Sequence, residues 1–317
     1  MSRRVFAFIT VALLLTISSH AYAAARTQGV YVNTIEGMKA DMAQTATKVE
    51  SALKGAGFTV LASFENGAPE GCKYRAMTIV FTNEAYAARV ISGGPDKGFA
   101  LPLRVSLYED ARGLNVAVMN PVSVNRTIFQ NGSMDEPAQK VVDEVAAALK
   151  SVGPVSAKQI GQLRDDGSIT GMGGGPFPEK VVPVAASNKS LAEMADALVK
   201  GITDKNGWHA IYTYKPSEGV VIVGVTNRKT EGRAFGIAGE SRATSANKFP
   251  GLDHASAFPV EIVIYKKGAH NTASILKEMW RMKLYFQDAG NWAFMKNMGM
   301  PGDIQSQIEA AIKKFIK

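Results

Sequence analysis

Cysteine is almost absent. Cys72 is the single one in 317 residues, so no internal disulfide can form and stability must come from apolar packing. A reactive thiol needs a base beside it, and no histidine stands out as its partner. Histidine is scarce too, with only His209, His254 and His270 beyond the first 23 residues. None forms a His-x-x-x-His or Glu-x-x-His pair, so no zinc motif is present. There is no Cys-x-x-Cys-His for covalent haem, no Gly-x-Ser-x-Gly elbow, and no glycine loop ending in Gly-Lys-Ser/Thr for phosphate. His209 reads as a structural strand residue, and His254 and His270 as solvated. Glu109-Asp110 and Asp165-Asp166 read as turn carboxylates. No catalytic residue is assigned.

Long apolar runs are also missing after the N-terminus. The longest, such as Val220 to Val225, have strand length, so no membrane span is expected after it. The one exception comes first. Arg3 and Arg4 precede an apolar stretch from Val5 to Leu15, and Ala21-Tyr22-Ala23 offers a small-x-small cleavage site. That order predicts a signal peptide over residues 1–23 and a periplasmic or secreted protein. Ser2-Arg3-Arg4-Val5-Phe6 resembles a twin-arginine motif, but the strongly apolar segment behind it fits general secretion better. The formal net charge of +8 is spread out, with no Lys/Arg block or basic aromatic stripe, so nucleic acid is not an expected partner.

What is present is a pattern used twice. In residues 27–152, Met38, Met42, Ala46, Val49 and Leu53 recur at helical spacing. Strands follow at Phe58–Leu61 and Met77–Phe81. Leu101, Leu103, Val105 and Leu107 then alternate with Pro102, Arg104, Ser106 and Tyr108, the pattern of a half-buried strand. Leu114–Met119 returns beside it, and Asp135–Lys150 closes the unit as a helix. Residues 184–317 replay this order. Ser190-Leu191-Ala192-Glu193 forms a capping box, a helix runs to Asn206-Gly207, and strands follow at Trp208–Tyr212 and Val220–Val225. Phe258, Val260, Ile262 and Ile264 alternate, and Ile304, Ile308 and Ile312 mark a closing helix. Leu101–Asn131 overlays Phe258–Asp288 without a gap, matching Pro102 to Pro259 and Tyr108 to Tyr265. Residues 153–183, with Gly171-Met172-Gly173-Gly174-Gly175-Pro176, read as a pliable linker. The expected fold class is therefore α+β: two similar domains, each a small, mainly antiparallel sheet with two helices packed on one face. The pair is expected to meet about a pseudo-twofold axis, with a cleft between them.

Asn83, the Leu101-Pro102-Leu103-Arg104-Val105 strand with Tyr108-Glu109-Asp110, Gly113 and Asn120-Pro121 resemble the domain of unknown function 302 family. The resemblance covers most of the first unit and thins in the second, where Glu261 replaces Arg104 and Lys266-Lys267 replaces Glu109-Asp110. It implies small α+β domains, sometimes in tandem, and no particular activity. A site built on Arg104, Glu109 or Asp110 would be missing from the second unit.

One segment departs from its surroundings. Met279 to Met300 holds two of the three tryptophans and five of the 13 methionines, where the first unit has the blander Asn120–Gly132. Such residues fill cores. They also make adaptable apolar binding surfaces, which marks Met279, Trp280, Met282, Trp292 and Phe294 as candidate ligand-binding residues. Met295, Met298 and Met300 place three thioethers close together, a candidate Cu(I) site. The functional expectation is a non-enzymatic binding protein that takes a small hydrophobic ligand or an envelope protein in the inter-domain cleft. The loop from Asn227 to Phe258 would border that cleft. An enzyme whose polar residues converge from both units is the main alternative.

Overall fold

A computed structural model describes residues 28–164, 166–202 and 207–316. The stretch read as a signal peptide, with Asp165 and Asn206, lies outside them. The first domain runs β1 (Gln28–Met38), α1 (Met42–Gly55), β2 (Thr59–Glu65), β3 (Ala76–Thr82), α2 (Glu84–Ile91), β4 (Leu103–Asp110), β5 (Gly113–Met119), α3 (Pro121–Phe129) and α4 (Asp135–Leu149). Strand β6 (Lys158–Arg164) then joins the same sheet. The second domain runs β7 (Val181–Ser187), α5 (Leu191–Ile202), β8 (His209–Ser217), β9 (Val220–Thr226), α6 (Arg228–Glu240), β10 (Val260–Lys267), β11 (His270–Leu276), α7 (Glu278–Phe286), α8 (Asn291–Lys296) and α9 (Gly299–Phe315).

The sheets have one topology. The first is ordered β2-β3-β4-β5-β1-β6 and the second β8-β9-β10-β11-β7, all antiparallel. The hairpins share a register as well: Ser106 faces Ala117 as Val263 faces Ser274. The peptides before Pro102 and Pro259 are both cis. Asn83 and Asn227 both cap the helix that follows, each accepting a backbone N–H into its side-chain oxygen.

Each sheet lays one face on two helices, α1 with α4 and α5 with α9. The apolar stripes account for this: Met42, Ala46, Val49 and Leu53 of α1, and Val141, Val145 and Leu149 of α4, are all buried. The other face of each sheet is covered by the opposite domain. The 3-10 segment Pro95–Ala100 lies on β9 and β10, and its counterpart Pro250–Ala257 lies on β3, β4 and β5. The approach is close. A Cβ on Gly98 would sit 3.0 Å from Val263 Cγ1, and one on Gly67 would overlap the Arg228 carbonyl oxygen at 1.8 Å.

Four expectations change. Strand β4 is buried on both faces, Arg104 and Ser106 included, because the second domain covers the side that alternation alone leaves to water. The linker is shorter than 153–183, since β6 and β7 occupy its ends and pair with β1 and β11. Its glycine-rich middle is a folded strap rather than a tether. Gly174 N–H donates to Gly171 O and Gly175 N–H to Ile169 O, and Phe177 is fully buried against Phe99 and Trp280. The stretch from Asn227 to Phe258 is α6 and a 3-10 segment, not a long loop.

Candidate functional site

The space between the domains is filled partly by apolar packing, as at Gly98 against Val263 and Ile222, and partly by polar groups. Arg104 of β4 pairs with Glu261 of β10 at the equivalent position, 157 residues on. It also donates through Nη1 to Ser256 O at 3.0 Å, and Tyr285 lies under the guanidinium. Burial opposes its charge, but Glu261 holds the Arg104 guanidinium above its usual pKa. Arg281 forms a bidentate pair with Glu278 at 2.8 and 2.7 Å and donates to Ala257 O at 2.7 Å. Glu231 of α6 accepts from Gly67 N–H at 2.5 Å, Thr226 Oγ1 at 2.5 Å and Asn66 Nδ2 at 3.2 Å. Burial pushes its carboxyl up.

His254, expected in solvent, is fully buried. Its Nδ1 lies 2.5 Å from Asp253 Oδ1 and its Nε2 2.8 Å from Asp288 Oδ1. The ring stacks on Phe286 and meets the edge of Tyr31 from the first domain. Burial disfavours the imidazolium, yet the two carboxylates outweigh it and push the pKa up to about 9. Arg242 completes the cluster through two bonds to Asp253. Polar residues from both domains do converge here, as an enzyme between them would require. Arg104, Glu261, His254, Glu278 and Arg281 are at most 3 % exposed, while Asp288 and Arg242 at the edge of the His254 cluster reach solvent with side chains 18 % and 31 % exposed. The arrangement joins the two domains and fills the space at these residues. A crevice of about 330 Å³ that remains between the domains lies elsewhere, between Gly71, Lys73 and Tyr74 of the first and Ser245, Ala246, Lys248 and Phe249 of the second.

The open concavity lies to one side. The strap residues Thr170 to Met172, Met279 and Lys283 of α7, Gln287 just past its end, and Asn291, Phe294, Met295 and Met298 from α8 and the turn after it line a groove of about 390 Å³. The geometry follows from local sequence. Gly173, at φ 75°, carries the strap over α7, where a Cβ would come within 2.4 Å of Met279 Cγ. Trp280 Nε1–H ties the strap down through Gly175 O at 3.0 Å, and Lys283 Nζ does so through Thr170 O at 2.6 Å. Burial pulls the Lys283 ammonium below its usual pKa. Gln287 Oε1 is buried with no hydrogen-bond partner.

The sequence-derived candidates divide. Met279 and Phe294 line the groove. Trp280 and Met282 are buried, Trp280 against Phe177. Trp292 is exposed on α8 beside them. Of the three thioethers proposed together for Cu(I), Met295 and Met298 share the groove. Met300 is buried and lines a different crevice with Arg233 and Asp303, because α9 begins at Gly299 and turns its first buried position inward. Met172, Lys283 and Gln287 escaped the sequence reading; Met172 lay in a stretch read as linker. Among the described residues, no three His, Cys, Asp or Glu come together as metal ligands, and no helix is long and apolar enough to cross a membrane.

Each domain also carries a crevice between its second helix and its closing helix. Asn83, Tyr86, Arg89, Lys140, Val141 and Glu144 line one of about 380 Å³. Asn227, Thr230, Arg233, Asp303, Ile304 and Gln307 line its counterpart of about 470 Å³. The shared fold produces both, and their differing charges argue for no common ligand.

The family model described as "Domain of unknown function DUF302" matches residues 36–152. Five solved chains match the protein. One is the uncharacterized conserved protein DUF302 from Bacillus stearothermophilus, 19% identical, with 41% of this chain and 99% of that chain covered and a TM-score of 0.33. No curated protein matches.

Proposed function

We propose, from the premise that residues 36–152 are a DUF302 domain, that this chain is an exported, non-enzymatic binding protein whose ligand site is the methionine-lined groove. Export is supported by Arg3-Arg4, the apolar stretch Val5–Leu15 and Ala21-Tyr22-Ala23. The binding reading rests on one observation. The large hydrophobic side chains left exposed among the described residues are Leu163, Met172, Trp292, Met295 and Met298. All lie on the strap, on α8 and its following turn, or on β6, which packs against α7. Exposed apolar surface gathered in one place marks a contact site rather than chance. The ligand presents apolar or polarisable surface to the methionines and Phe294.

An apolar fluorescent probe titrated into the purified protein tests this. Binding is expected in the wild type and is lost in the double variant Met295→Asp with Met298→Asp. Both side chains are exposed, so far-ultraviolet circular dichroism should stay unchanged. Equal probe affinity in the two proteins sinks the proposal.

A further inference from the structure

Resting on the groove as the binding site, we infer that its ligand is a soft monovalent metal cation of the Cu(I) class, held by the thioethers of Met172, Met279, Met295 and Met298. The composition of the wall carries the argument. The groove has five large apolar side chains, these four methionines and Phe294. A wall built only to hold a lipid or an aromatic ring is served as well by leucine, isoleucine or phenylalanine, which pack with defined rotamers. The chain has 13 methionines in 317 residues, and four of them stand in this one wall, a concentration that sulfur-donor chemistry explains.

That reason is donor softness. A thioether is neutral and polarisable, does not titrate, and selects Cu(I) over the hard and borderline cations that oxygen and nitrogen donors bind. The four sulfurs also come from separate places: Met172 from the strap, Met279 from α7, Met295 from α8 and Met298 from the turn after it. Donors converging from several directions are what a three- or four-coordinate site requires; a stripe along one helix gives only one side. Three of them remain exposed, Met172 by 70 %, Met295 by 60 % and Met298 by 42 %, so sulfur stays accessible to an arriving ion. Phe294 completes the apolar lining. Lys283, the one cation on the wall, donates to Thr170 O and holds the strap that carries Met172. The bound species keeps its charge throughout, so no electron or proton moves on binding.

Protein labelled with ¹³C at the methionine methyls is titrated with Ag(I), the air-stable soft monovalent probe. The methyl signals of Met172, Met279, Met295 and Met298, assigned through single Met→Leu variants, are expected to shift. Those of Met42, Met194 and Met300, buried elsewhere, should stay. Cu(I) is then titrated anaerobically against a chromophoric chelator. Competition is expected in the wild type and in Met300→Leu, and is lost in the variant with all four groove methionines changed to leucine. Far-ultraviolet circular dichroism of that variant checks that it folds, since leucine keeps the apolar volume. Unmoved groove methyls, or a quadruple variant that competes as the wild type does, overturn the metal assignment. If probe binding survives in that event, the groove reading stands without the metal; if probe binding is absent from the wild type, both fall.

Discussion

The two domains differ most where they touch each other and where the second touches solvent. At the mutual face, equivalent positions hold opposite charges, Arg104 in the first sheet and Glu261 in the second. Two copies of the first domain would set arginine against arginine; this pair neutralises itself. The 3-10 segments make the same point. Asp96-Lys97 lies over Phe129 in the first domain, and Asp253-His254 over Phe286 in the second. One scaffold position carries a half-buried lysine in one copy and a fully buried histidine in the other. On the outside, the first domain passes from α3 to α4 through residues 130–134, whereas the second inserts residues 287–298 with α8 between α7 and α9. The mutual faces differ by complementary charges and the outer faces by an additional segment in the second domain, and the groove follows from that segment.

The sharpest way to break this comparison is Arg104→Ala. It leaves Glu261 buried and unpaired, so the loss should be about 3–5 kcal/mol in denaturant unfolding. Replacing both partners with methionine should restore most of the stability. If Arg104→Ala costs no more than a surface change, the complementary face is not what holds the domains together.

Next in size is the His254 cluster, which titrates with a definite sign. Its folded pKa of about 9 lies above the ordinary value of 6.5. Its contribution is therefore complete below about pH 6.5 and is lost as pH rises through 9. We expect a decline of about 2–3 kcal/mol between those limits, read from unfolding free energy against pH. In His254→Asn the decline should vanish; its persistence would assign the effect to another group.

The smallest effect is local. Gly173→Ala forces a side chain onto a left-handed backbone and against Met279. The cost should be about 1–2 kcal/mol in thermal unfolding, with weakened probe binding. Unchanged probe affinity would detach the strap from the groove.

Much of the architecture was legible because apolar periodicity is local. The strand at Leu103, the return at Leu114 and both closing helices announce themselves in windows of a few residues. Strands β1 and β7 were harder. Asn33 and Thr34 interrupt the apolar run of β1, although both are buried, and β7 sits inside what composition marks as linker. Helix α6 was missed because, of its buried positions, Gly232, Ala234, Ala238 and Gly239 are small and Glu231 is charged, leaving Phe235 as the one large apolar residue among them, and such a helix carries weak apolar signal. Of the groove, Met279, Phe294, Met295 and Met298 stood out by composition. Met172 did not, since only folding lays residue 172 across the helix that begins at residue 278.

By itself, then, the chain determined the α+β class, the recurrence of one strand-and-helix order, and the lack of disulfide or motif-borne chemistry. All of these depend on residue type and near-neighbour spacing. Tertiary structure alone decided that Arg104 meets Glu261, that His254 is buried between two carboxylates, and that a glycine strap closes over α7. Each of these joins residues more than 30 positions apart. Whether a charge ends in water or against its opposite depends on how two sheets dock, and that is settled by shape and burial over the whole interface.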